Sequence, residues 1–221
     1  MGQTFIVMIN SQDLAKLVDQ YKRKYVKSHC VSSNKYPTCR LKVLKTCKRL
    51  EDCVRMGKKH HHKRMTERTI RQIITALKNS NLLKQKFSNF EELLDYVNNC
   101  IRGIVGIGQL AVYDISVRIG KYLCSPSIEP KDYVYLHRGA LEGANKLFGG
   151  NPKLKEGRYP ITIFPIELQK LGSVHIENFL CVMRNRLWIN VIQLSVSPPS
   201  HFTPTGARSA SMASFSARCG R

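Results

Sequence analysis

Apolar residues recur every three or four positions along most of the chain, and each such run predicts an α-helix with one buried face. Leu14, Leu17, Val18, Tyr21 and Tyr25 form the first stripe, with Ser11 placed to cap it. Val43, Leu44, Cys47, Leu50 and Val54 share a face of a second helix. Thr66 opens a third, carrying Ile70, Ile73, Ile74 and Leu77 and closed by the polar run Asn79, Ser80, Asn81. Ser88 with Glu91 spells a capping box ahead of Phe90, Leu93, Leu94, Val97 and Ile101. A further stripe of Leu110, Ala111, Ile115, Ile119, Tyr122 and Leu123 follows, and Pro126 and Pro130 then break the chain. Ala140, Ala144 and Leu147 face inward from a helix stopped by Gly149 and Gly150. Pro165 suits the first turn of a short helix through Leu171, and Ser173 caps a last one burying Ile176, Phe179, Leu180, Met183 and Leu187. Strand signals are confined to TFIVMI and YPITIF, which no hairpin turn pairs. The expected fold is mainly α, one helical domain over 1–194. Residues 195–221, rich in Ser, Pro, Ala and Arg, read as a disordered or non-native tail.

Charge changes this picture most. Across 221 residues, 36 Lys and Arg stand against 15 Asp and Glu, a formal charge of +21, which calls for a polyanionic partner. DNA is the first expectation and RNA the second. The apolar runs fall short of the ~20 residues needed to cross a bilayer, so no membrane partner is expected. MGQTFIVMINSQD shows neither a charged leader nor a small-residue cleavage site, which leads us to expect a cytoplasmic protein. Cys30, Cys39, Cys47 and Cys53 are spaced more widely than the tight pairs of a structural zinc site. Reduced thiols, some in the core, are the plainer reading. No cofactor is implied.

Within the helical pattern, IVGIGQLAV places Gly106 and Gly108 between aliphatics, where an interior helix glycine would cost about 1 kcal/mol. A tight reversal between two helices explains both. It would leave the amides of Ile107, Gly108 and Gln109 at a helix start, where unpaired donors and the helix dipole favour an anion such as a phosphate. Val105, Gly106, Ile107, Gly108 and Gln109 are therefore candidate contacts to a nucleic-acid backbone. Lys42, Lys45, Lys48, Arg49, Lys58, Lys59, Lys63 and Arg64 are candidates for a basic surface beside them, drawn from a segment with only Glu51 and Asp52 as counter-charges.

IVGIGQLAVYDI resembles the LPGVG hairpin of helix-hairpin-helix base-excision DNA glycosylases, and YVYLHRGALEGANKLFG is similar to the stretch that follows it there. The likeness covers about residues 88 to 150 and implies a DNA-glycosylase-like helical domain that holds DNA by its backbone. In that family an Asp opens the later helix; His137 stands in its place here. Lyase members carry a Lys where this chain has Leu110, so an imine-forming amine is lacking, and the family's closing four-cysteine cluster is missing too. The implied function is DNA binding without standard glycosylase or lyase chemistry. A nearer resemblance is to a bacterial family without assigned activity that shares GIG, YD, RIG, YLH and an upstream HxH: here Gly106 to Gly108, Tyr113 with Asp114, Arg118 to Gly120, Tyr135 to His137, and His60 with His62.

Three groups could do more than bind. His60, His61 and His62 make either a solvated basic patch, which spacing favours, or part of a metal or proton-transfer site. His137 and Asp114 could act as an acid–base pair if the fold joins them. Against that, His137 sits where a helix begins and Asp114 is four residues from Arg118, a structural pairing. The alternatives to simple DNA binding are thus a nucleic-acid-processing enzyme using His137 with His60 and His62, and a non-enzymatic scaffold for RNA or acidic partners.

Overall fold

A computed structural model describes residues 7, 9–27, 47–60, 65–150 and 153–187, with backbone only at 27 and 57–60. Among the described residues the chain is mainly helical, as the periodicity predicts, with one small two-stranded sheet beside the helices. Helix α1 (Ser11–Tyr21) buries Leu14, Val18 and Tyr21 and runs into a π-helical turn, Lys22–Lys27. Its cap is Asn10, whose side chain accepts the Asp13 amide at 2.9 Å; Ser11 lies one residue inside and turns its hydroxyl to Glu167. Helix α2 (Leu50–His60) starts where the Asp52 carboxylate receives the Lys48 and Arg49 amides, and Leu50, Cys53 and Val54 are buried. Val43 and Leu44 lie outside the described residues.

Helix α3 (Glu67–Asn79) is capped by Thr66 and buries Ile70, Ile73, Ile74 and Leu77 as expected. Helix α4 (Phe90–Ile101) corrects the expected capping box by one residue. Asn89 takes the Glu92 amide at 2.9 Å and Glu92 takes the Ser88 amide at 2.8 Å, which leaves Glu91 available for a tertiary contact. Helix α5 (Gln109–Tyr122) is buried continuously from Ala111 to Gly120, including Asp114 and Arg118. It is enclosed on all sides rather than amphipathic, with α2 and α4 packed on it.

Strand β1 (Tyr133–Leu136) pairs antiparallel with β2 (Gly157–Pro160), Tyr133 opposite Pro160 and Leu136 opposite Gly157. The thin strand signal at YPITIF is met only at its start: Tyr159 and Pro160 end β2, whereas Ile161–Ile163 is a 3-10 turn. The two-residue period of β1 divides the interior. Tyr135 joins the buried cluster of α2 to α5, while Val134 and Leu136 join a second cluster with Leu14, Val18, Phe164 and Leu168. That second cluster is completed by α6 (Arg138–Leu147), the short α7 (Ile166–Gln169) and α8 (Ser173–Met183). Pro165 precedes α7 instead of opening it, and Gly172 rather than Ser173 caps α8, the Ser173 hydroxyl donating to the Lys131 carbonyl at 3.1 Å. Helices α6 and α8 touch at Gly143, where a Cβ would come within 2.1 Å of the Leu180 carbonyl oxygen. Among the described residues no helix is long and apolar enough to cross a membrane.

Candidate nucleic-acid interface and adjoining cavity

Residues 102–108 connect α4 to α5, and the two helices pack on each other. Gly106 takes φ +90°, a left-handed conformation that a side chain would strain, and Gly108 precedes the first turn of α5 in extended conformation. A Cβ at either glycine would meet nothing within 4 Å. The corner is open: Val105 is 90% exposed, and Gly106, Gly108 and Gln109 are exposed around a half-buried Ile107. Among the described residues, the amides of Ile107, Gly108 and Gln109 make no backbone hydrogen bond, whereas Ala111 and Val112 return theirs to Gly108. Three donors at a helix start are thus left without a backbone partner among the described residues. Leu110, where the resembled lyases place an amine, packs partly against the α2–α5 cluster.

Two hollows of opposite character flank this corner. On the Ile104 side lies an open groove of about 770 Å³ lined by Arg68, Arg71, Gln72, Thr75, Ala76 and Asn79 of α3. Arg68, Arg71 and the neighbouring Arg102 are exposed, and sequence reasoning missed all three because they are scattered cations rather than a run. Among the predicted cations, Lys48 and Arg49 are exposed at the start of α2, where they border another hollow with Lys78 and Lys84. Lys42, Lys45, Lys63 and Arg64 lie outside the described residues, as do the side chains of Lys58 and Lys59.

On the Gln109 side a cavity of about 420 Å³ opens beside the first buried cluster. Glu91, Leu94 and Asp95 of α4, Gln109 and Tyr113 of α5, Tyr135 and His137 at the end of β1, and residues 156–158 line it. Tyr113 and Tyr135 lie 5.0 Å apart, both set against Phe90, and the His137 ring is 5.2 Å from Tyr113. The Tyr135 hydroxyl donates to Glu91 Oε1 at 2.8 Å. Burial first, and the Glu91 carboxylate second, raise the Tyr135 phenol above its ordinary pKa, so it stays a neutral donor. His137 occupies the residue before α6, yet its side chain does not cap that helix.

No match is found for this chain among family models, curated proteins or solved structures. Function is therefore argued from the chemistry of the site itself.

The predicted catalytic candidates separate. His137 lines the cavity; Asp114, on the same helix as Tyr113, is buried and does not line it. Arg118, also buried, donates its Nε to the Cys53 carbonyl at 2.5 Å, tying α5 to α2. The imidazole of His60 and all of His62 lie outside the described residues. Among the described residues no group of His, Cys, Asp and Glu is placed to hold a metal ion. Cys47 and Cys53 are buried free thiols.

Proposed function

We propose that the protein binds DNA by its sugar–phosphate backbone through a helix-hairpin-helix formed by α4, the 102–108 corner and α5, within a DNA-glycosylase-like helical fold. The observation that carries the reading is the open corner: among the described residues, the Ile107, Gly108 and Gln109 amides make no backbone hydrogen bond at the start of a long helix, with nothing crowding the glycines. The flanking hollows give the bound strand a direction. Carboxylates of Glu91, Asp95 and Glu156 on the Gln109 side repel phosphate, while Arg68 and Arg71 on the Ile104 side attract it. The backbone therefore runs across the α3 groove, and such contacts position a duplex without reading its sequence.

Gly108→Glu tests this directly. Gly108 has φ −101° and room for a side chain, so the fold tolerates the change while a carboxylate enters the phosphate position. Duplex binding, followed by fluorescence anisotropy, should be abolished with thermal stability unchanged. Undiminished binding would transfer the positive charge to the role of a nonspecific scaffold for RNA or acidic partners.

A second reading, a nucleic-acid-processing enzyme with His137 as proton carrier, is favoured by one observation: His137 and the hairpin residue Gln109 line the same cavity. Turnover of damaged or deaminated duplexes that disappears in His137→Ala but persists in Lys84→Ala supports it.

A further inference from the structure

The cavity beside the corner has a chemistry that phosphate binding does not use. Its wall is aromatic, with Tyr113 and Tyr135 both buried and Tyr135 held in place by its bond to Glu91. Its mouth carries the carboxylates of Asp95 and Glu156, both exposed. Asp13, Glu51, Asp52, Glu67, Glu129 and Glu142 each pair with a cation elsewhere on the protein. Among the described residues, Glu91, Asp95 and Glu156 form no ion pair. The arrangement does not correspond to a metal site either.

One cation already shows what this wall accepts. The Arg158 guanidinium lies 5.0 Å over the ring of Tyr133, at the edge of the same tyrosine surface. Planar cations favour aromatic faces because the ring quadrupole is negative there, and an adjacent carboxylate adds a directed, charge-assisted hydrogen bond. With three carboxylates against one guanidinium, the hollow is locally acidic within a strongly basic protein.

We infer that the cavity between α4, α5 and the β1–β2 hairpin binds a planar organic cation of the amidinium or guanidinium class, its flat face on Tyr113 and Tyr135 and its N–H groups directed to Glu91, Asp95 and Glu156. The site is independent of the nucleic-acid corner and stands or falls separately from it. A cavity of about 420 Å³ accommodates a small ligand of this kind.

Isothermal titration of the full chain with benzamidine tests the proposal, with benzamide as the uncharged isostere and spermidine as a flexible cation. Benzamidine should bind saturably at one site, with benzamide and spermidine each weaker by about tenfold or more. The Asp95→Asn/Glu156→Gln double variant changes only exposed side chains and should weaken benzamidine by about tenfold, while duplex affinity, relieved of two phosphate-repelling charges, should not fall. Absence of saturable benzamidine binding, equal binding of benzamide or spermidine, or an unaltered affinity in the double variant would overturn it.

Discussion

His175 illustrates how a single side chain couples this fold to pH. Its Nδ1 lies 3.0 Å from the Tyr21 hydroxyl, which in turn accepts a hydrogen bond from the buried Asn178 amide at 2.9 Å, so α1 and α8 share a polar link inside the second cluster. Burial pushes the imidazole below its ordinary pKa of 6.5; Lys121 adds to that shift and Glu129 opposes it. With the folded pKa depressed, the unfolded chain binds more protons as pH drops. This histidine's contribution to stability is thus full above the unfolded value and lost as pH falls from there toward the folded one. Thermal melts between pH 7.5 and 5 should show a falling Tm that flattens in His175→Gln. Gly143 makes a complementary point about space. Alanine there cannot fit against the Leu180 carbonyl unless α6 and α8 separate, so Gly143→Ala should cost about 1–3 kcal/mol in chemical denaturation. Gly103→Ala, with nothing within 4 Å, should be near neutral and serves as the control.

At the scale of elements, helices were legible because their apolar residues repeat at a helical period, and the buried faces of α1, α3, α4, α6 and α8 follow that period. Helix starts were less legible. Ser and Asn cap almost equally well, so sequence could not choose Asn10 over Ser11 or Asn89 over Ser88, and tertiary partners made the choice. Thr66 had no such rival; Thr66→Ala should lower stability by about 1 kcal/mol in equilibrium unfolding, since it orphans the Thr69 amide. The β1–β2 pair was missed because GRYP is polar and contains both Gly and Pro, which usually argue against a strand; at four residues and largely exposed, it tolerates them. The continuous burial of α5 was hidden by Asp114 and Arg118, which resemble a solvent face although both are buried, Arg118 against α2. Likewise His137 and Gln109 could each be singled out, but their meeting with Glu91, Tyr135 and Arg158 depends on α4, β1 and β2 converging, a relation no local spacing encodes.

Around the 102–108 corner, charge is sorted rather than spread. The excess of +21 invites a polyanion, yet the corner that would hold one has acid on one side and arginine on the other. Steering and contact are therefore separable. Cations far from the corner raise the general attraction, which is screened beyond a Debye length of ~8–10 Å at ordinary salt. On the proposed reading, cations at the corner would displace condensed counterions from the phosphates they touch, each such contact adding about 0.9 to the slope of log affinity against log salt. Replacing Arg68 and Arg71 together by alanine should accordingly reduce that slope by about 2 and weaken duplex binding equally for unrelated sequences. Lys146→Ala offers the contrast. Lys146 is already paired with Glu142 at 2.7 Å on α6, a helix whose described contacts join β1 and α8 rather than the corner. Its loss should leave both the slope and the affinity at ordinary salt nearly unchanged. If both variants shift the slope alike, binding is governed by net charge alone and the α3 groove has no particular claim on the strand.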